Sequence, residues 1–67
     1  MDVGAEIRKA RHFRGLSQEA MAELIGGHFT AISDWERGKP LPRLDTLERI
    51  ADALGHDLVV MLVPRDS

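Results

Sequence analysis

The chain lacks cysteine and tyrosine, carries one tryptophan in 67 residues, and shows no excess of basic charge. Without cysteine there can be no disulfide, no iron–sulfur cluster and no thiol catalysis. The three histidines, His12, His28 and His56, are far apart and form no i, i+4 pair, so neither a structural metal nor any other cofactor is expected. The longest apolar run, Leu58-Val59-Val60-Met61-Leu62-Val63, falls well short of the roughly 20 residues of a membrane span. Met1-Asp2-Val3-Gly4-Ala5-Glu6 has neither the basic start nor the apolar stretch of a signal peptide, so a cytosolic location is expected. A chain this short makes one domain and buries only about 60% of its unfolded surface. With disulfide and metal set aside, self-association is the expected source of further stability. The formal net charge of −2 argues against a general nucleic-acid binder, which usually carries a basic excess.

Glycines, prolines and capping residues divide the rest. Val3, Ile7 and Ala10 recur at helical spacing among Arg8, Lys9, Arg11 and Arg14, with Asp2 as N-cap and Gly15 as the stop. Ser17 caps a second helix whose apolar face is Ala20, Met21, Leu24 and Ile25, and Gly26-Gly27 breaks it. A third short helix opens at His28 or Phe29, carries Ile32 and Trp35, and closes at Gly38. Lys39-Pro40-Leu41-Pro42 reads as a loop. Leu44, Leu47, Ile50, Ala51 and Leu54 then form the cleanest amphipathic pattern, stopped by Gly55.

The tail from His56 to Ser67 differs in character. Leu58 to Val63 holds three valines and no polar residue, which is strand length and strand composition. The chain offers that strand no partner, and a lone apolar strand with open edges invites aggregation. Pairing with the same strand of a second copy resolves this, so Leu58, Val59, Val60, Met61, Leu62 and Val63 are the expected dimer interface.

Two short helices joined by a glycine turn and preceded by a basic helix form the helix-turn-helix pattern. Ala22 is small where the two helices would cross, while Met21, Ile25, Ile32 and Trp35 face inward and fix their angle. Ile7-Arg8-Lys9-Ala10-Arg11, Arg14-Gly15-Leu16-Ser17-Gln18-Glu19, Ala22-Glu23, Ile32-Ser33 and Trp35-Glu36-Arg37-Gly38-Lys39 follow in order. With Leu44, Thr46-Leu47, Ile50-Ala51 and Ala53-Leu54-Gly55, the run resembles the phage repressor/Cro-type helix-turn-helix family. The tail from Leu54 to Arg65 is similar, over a shorter match, to the strand that ends the HipB-like antitoxins of that family.

The resemblance implies a mainly α fold. A four-helix, lambda-repressor-like helix-turn-helix domain would span residues 1–55, and a strand pairing across a dimer would lie in residues 56–67. It implies that Ser17 and Gln18, at the start of the second helix, meet phosphate. His28, Phe29, Thr30, Ser33 and Asp34 fall at positions that face bases or the flanking backbone, and Arg37, Lys39 and Arg43 at the loop that contacts phosphate. Arg14 is expected to point at the DNA backbone as well, whereas Arg11 and Glu36 match a structural salt bridge. Phe29 suits a thymine methyl and Asp34 a cytosine amino group, although Asp34 also repels phosphate. Gly27 stands where an apolar residue is usual, and Arg43 where a Ser or Thr cap is common.

Charge by segment is uneven: +2 over residues 1–16, −3 over 17–38 and −1 over 39–67. The cations gather in the first helix and the Arg37–Arg43 stretch, where phosphates would lie, so the net charge implies weak non-specific binding rather than none. Ser33, His28 and Asp34 sit on one short helix with no cleft or oxyanion loop, so catalysis is not expected. The expected function is a homodimeric, sequence-specific repressor of bacterial or phage origin, bound in the major groove of palindromic half-sites of a double-stranded operator. An antitoxin-like autoregulator with a toxin partner comes first within this class, and a phage Cro-like repressor is the alternative. A helix-turn-helix interaction module without DNA binding is the reading from another class.

Overall fold

The computed structural model describes residues 2–65, so Met1, Asp66 and Ser67, which end the two expected segments, lie outside the described residues. Four helices form: α1 (Val3–Phe13), α2 (Gln18–Ile25), α3 (Phe29–Glu36) and α4 (Leu44–Ala53). Their starts divide into two kinds. Asp2 Oδ1 accepts from the Ala5 amide at 3.1 Å, and Ser17 Oγ accepts from the Ala20 amide at 3.0 Å. Those bonds satisfy one free N–H in each first turn. His28 and Arg43 occupy the N-cap positions of α3 and α4 without a side-chain capping bond.

All four helices stop in the same way. Leu16 N–H reaches Arg11 O at 3.1 Å, Gly27 reaches Ala22 at 2.9 Å, Lys39 reaches Asp34 at 2.8 Å and His56 reaches Ala51 at 2.8 Å. Each is the six-to-one bond that closes a helix over a left-handed residue, and a glycine occupies that conformation every time, as at Gly26 with φ 73°. Gly27 therefore does not loosen the turn between α2 and α3, because the ordinary closing bond is made there.

Ile7, Met21, Ala22, Ile32, Ile50 and Leu54 form the buried core, and Val3, Ala10, Leu16, Ile25, Trp35 and Leu47 pack around it. α3 packs on both α1 and α2, and α4 packs on α2. Leu24 and Leu44 depart from the apolar faces assigned to them, for each is 56% exposed. Leu44 opens α4, ahead of the turns that meet the core. Gly4 is buried, and a Cβ built on it would lie 2.6 Å from the carbonyl oxygens of both Trp35 and Glu36. The first turn of α1 thus rests directly on the last turn of α3, at a distance only glycine permits.

The expected strand over Leu58–Val63 does not form in the single chain. No strand occurs among the described residues, and residues 56–65 have no regular structure. A strand requires a ladder partner, which one copy does not supply. Leu58 is half-buried and, with Val59, lines an apolar groove of about 250 Å³ beside Val3, Ile7 and Leu47. Beyond it Val60, Met61, Leu62 and Val63 are 60%, 71%, 98% and 75% exposed. No helix among the described residues is long and apolar enough to cross a membrane.

Replacing a helical glycine by alanine ordinarily stabilises by about 1 kcal/mol. At Gly4 the sign reverses. Gly4→Ala is expected to cost about 1–3 kcal/mol, the usual range for overpacking, and to lower the thermal midpoint by about 4–8 °C per kcal/mol. A midpoint equal to or above that of the parent would contradict the close approach of α1 and α3.

Candidate nucleic-acid interface

α3 has two faces. Ile32 is fully buried against Met21 and Ala22 of α2, and Glu36, one turn later, is buried against α1. Side chains three and four residues apart share a helix face, so burying Ile32 and Glu36 turns Thr30, Asp34 and Arg37 outward and leaves Ser33 at the side. Phe29, three residues before Ile32, is open to solvent because it is the first residue of the helix. Phe29 is 52% exposed, Thr30 is exposed, and Ser33 and Asp34 are half-buried. These four, with exposed His28 and Arg37, line the free side of α3.

The charges on this side are arranged in loose pairs. Arg37 Nη2 donates to Asp34 Oδ1 at 2.8 Å, so the one acid on the face is balanced by its neighbour. Arg43 lies 3.6 Å from Asp45, and its side chain is 86% exposed. Exposed pairs of this kind are worth about 0–1 kcal/mol, so exchanging the carboxylate for another anion costs little. Lys39 is exposed in the loop that follows α3. Its backbone N–H closes that helix on Asp34 O.

Behind the face lies a buried carboxylate. Glu36 accepts from Arg11 Nε at 2.6 Å and Arg11 Nη2 at 2.9 Å, from Gln18 Nε2 at 3.3 Å and from Arg8 Nε at 3.4 Å. Arg11 Nη1 also donates to Leu16 O at 2.8 Å, and Arg8 Nη2 to Glu36 O at 3.4 Å. Burial by itself would raise the Glu36 pKa. The bonds from Arg11 and Gln18, the Arg11 charge and the Arg8 bond outweigh it, and the carboxyl is held below its ordinary range. The bond that Arg11 donates to Glu36 likewise raises the Arg11 pKa against its desolvation. Two guanidinium groups share one carboxylate here, so a net positive charge remains beside Gln18 at the start of α2. Arg8, half-exposed at 51%, is the solvent-facing member of the cluster. It is absent from the expected phosphate contacts, although its i, i+3 spacing with Arg11 puts both on one helix face.

The expected site residues therefore fall into three groups. His28, Phe29, Thr30, Ser33, Asp34, Arg37, Lys39 and Arg43 belong to α3 and the segment that follows it. Ser17 and Gln18 open α2 and join that group through the Glu36 cluster, Ser17 with its hydroxyl engaged in the cap. Arg14 stands apart. Its Nε donates to Leu54 O at 2.6 Å and its Nη2 to Gly55 O at 3.1 Å, so its guanidinium is held at the end of α4. Among the described residues no three His, Cys, Asp or Glu side chains gather into a group that could hold a metal ion.

Comparison with known proteins supplies the family context. The sequence pattern of the helix-turn-helix domain family matches residues 2–61. The chain is 41% identical over 59 residues to the ImmF control region 10 kDa protein of Bacillus phage phi105, covering 88% of this chain and 66% of that protein. It is 34% identical over 65 residues to an HTH-type transcriptional regulator, y4dJ, of Sinorhizobium fredii, covering 97% and 84%. An HTH_3 family transcriptional regulator from Vibrio cholerae superimposes with a TM-score of 0.78 at 32% identity. That match covers 84% of this chain and 32% of the Vibrio chain.

The buried pair makes stability depend on acid. A carboxyl whose pKa is depressed by folding contributes stability above its unfolded value, about 4.3, and loses it as pH falls through the folded value. Thermal midpoints are therefore expected to drop below about pH 4. Glu36→Gln leaves Arg11 buried without its counter-charge, at a cost of about 3–5 kcal/mol. Arg11→Met combined with Glu36→Met is expected to regain most of that loss and to flatten the acid limb. A midpoint for Glu36→Gln within a degree of the parent would contradict the buried pair.

Proposed function

The chain belongs to the helix-turn-helix domain family, and on that premise we propose that it is a sequence-specific DNA-binding repressor acting as a homodimer on two inverted half-sites. The observation that carries the reading is the free side of α3. It joins an exposed Phe29, the hydroxyls of Thr30 and Ser33 and the carboxylate of Asp34 on a helix locked from behind by Ile32 and Glu36. An α-helix fits the major groove, where base edges differ in donors, acceptors and the thymine methyl. Phe29 packs on a thymine methyl. Asp34 accepts from a cytosine amino group once Arg37 has left it for a phosphate, and Thr30 and Ser33 bond to base edges or adjacent phosphate. Ser17 and Gln18 deliver the first-turn amides of α2 to phosphate, beside the net positive charge of the Glu36 cluster. Lys39 and Arg43 hold the backbone on the other side of the groove.

The dimer in this reading joins through the tail. Two copies of Leu58–Val63 pair as strands, which supplies the ladder missing in one copy and removes the exposed valines, Met61 and Leu62 from water. Residues 1–55 then act as the DNA-binding domain and 56–67 as the dimerisation tail. Half-sites related by the two-fold axis lie about one helical turn, about 34 Å, apart. Occupying a promoter in this way represses it.

The regulated operon distinguishes two versions of the role. The likeness of the tail to HipB-like antitoxins supports an antitoxin-like autoregulator that also binds a toxin. The likeness of the whole chain to a phage control-region protein supports a phage Cro-like repressor. A toxin-like neighbouring reading frame favours the first, and integration or lysis genes the second. Either role places the protein in a bacterial cytoplasm.

Mobility-shift titration with the chain's own upstream DNA tests the reading. Affinity is expected to fall steeply with salt as phosphate contacts release counterions. Removing residues 56–67 is expected to give monomers in sedimentation and to weaken operator binding by about 10²-fold or more as the second half-site is lost. No shift at low salt would leave the fold as an interaction module without DNA.

The second test concerns base reading. Phe29→Ala is expected to relax preference at one base pair of each half-site by about 1–3 kcal/mol, with fold and dimer intact. Unchanged base preference in a site selection would show that α3 does not read with this residue.

A further inference from the structure

Phe13 ends α1 with 74% of its surface exposed, yet its ring is not idle. The His56 ring meets it edge-on, centroid to centroid at 5.7 Å and 88° between planes. The Arg14 guanidinium carbon lies 5.4 Å from its centroid on the face. Arg14 and His56 also converge on one atom. Arg14 Nε donates to Leu54 O at 2.6 Å, and His56 Nδ1 donates to the same oxygen at 2.8 Å. Arg14 Nη2 takes Gly55 O at 3.1 Å. The last residue of α1 and its C-cap thus grip the point at which the chain leaves α4.

That point is Gly55, with φ +65°, the residue with the most backbone freedom between the helices and the tail. Left alone it is a swivel. Bonds on both sides of it, to Leu54 O and from His56, remove that freedom. We propose that Phe13, with Arg14 and His56, is a positioning clamp that fixes the direction of the tail and so sets the half-site spacing the dimer accepts. The inference rests on the tail-joined dimer proposed above. Two domains on stiff stalks present their α3 helices at one separation and one rotation about the DNA axis. Two domains on swivels follow many separations, as modules on flexible linkers do. A change of about 5 bp turns a half-site to the opposite face of the duplex, so spacing is a sensitive readout.

The test is a selection from a duplex library with a random window of about 30 bp, three helical turns. It uses the full chain, Phe13→Ala, His56→Ala and the conservative Phe13→Tyr. The full chain is expected to recover paired half-sites at one spacing and to lose about 10²-fold in affinity when 5 bp is inserted. Phe13→Ala and His56→Ala are expected to recover several spacings and to lose less than about tenfold on the same insertion. Their affinity for a single half-site and their sedimentation as dimers stay unchanged, and Phe13→Tyr restores the single spacing. A merely structural role would lower binding to every duplex in proportion and leave the ratio between spacings alone. Phe13→Ala with the parent's single spacing overturns the clamp while leaving the repressor reading in place. Recovery of unpaired half-sites by the full chain removes the dimer and the clamp together, and recovery of no consensus removes the DNA reading itself.

Discussion

The Glu36 carboxylate is the constraint on which the arrangement of helices depends. Its side chain is 2% exposed at the last residue of α3. An ion taken out of water costs several kcal/mol unless neighbours replace the lost hydration. Here the replacement comes from three places at once: Arg11 and Arg8 on α1, and Gln18 at the start of α2. A packing with α1 rotated, or with α2 shifted by one turn, would bury the same charge without those donors. Gly4 reinforces the selection by letting α1 touch the backbone of the same turn. A hydrophobic contact would tolerate a small slide, whereas a two-pronged guanidinium–carboxylate bond does not. The C-terminal end of α3 is fixed by charge and its middle by the packing of Ile32 on Met21 and Ala22. Its outer side is left without a structural task.

The same cluster bears on how far the formal charge of −2 describes the α2–α3 side of the chain. Glu36 counts as an acid in the sequence, but it lies beneath the surface with two arginines over it, one of them half-exposed. Asp34 is held by Arg37, a pairing the segment sum already includes, while Glu19 and Glu23 stay exposed. Formal charge sums groups without regard to depth or pairing, while the field above a surface depends on both. The −3 of residues 17–38 therefore overstates the negative potential at the α2–α3 face.

How much could be read in advance follows from how local each signal is. Helix limits were legible, because Asp2 and Ser17 as caps and glycine at each C-terminus act within one turn of chain. The role of Phe29 entered through family likeness, because periodicity puts it on the same face as Ile32, three residues on. The Arg11–Glu36 pairing is 25 residues apart and entered through family likeness, since no periodicity links the two. Gly4 was invisible, because a glycine inside a helix looks like a defect until the neighbouring backbone is in place. The contacts of Arg14 were out of reach for a related reason. A basic residue at the end of a helix beside a DNA-reading unit suggests phosphate, but carbonyl groups at the end of another helix attract the same guanidinium. The tail was legible as apolar and extended in preference, but a ladder belongs to two segments and only one of them is in this chain.

Size then makes stability and recognition the same problem. Six residues form the buried apolar core, and nearly as many apolar side chains, Val59 to Val63, stay exposed along the tail. Covering that tail with a second copy adds the burial a small domain lacks. In the proposed dimer a single α3 would bring few cations to DNA, so a single half-site would be held weakly and most of the affinity would come from the second half-site. That gain would exist only if both helices reached successive grooves together. A pairing segment that merely tethered two domains would stabilise them without aligning them. The grip of Phe13, Arg14 and His56 on the root of the tail is what would convert a stabilising contact into an aligning one. On that proposal a phenyl ring standing in water at the end of α1, where its burial contributes little, would have a task.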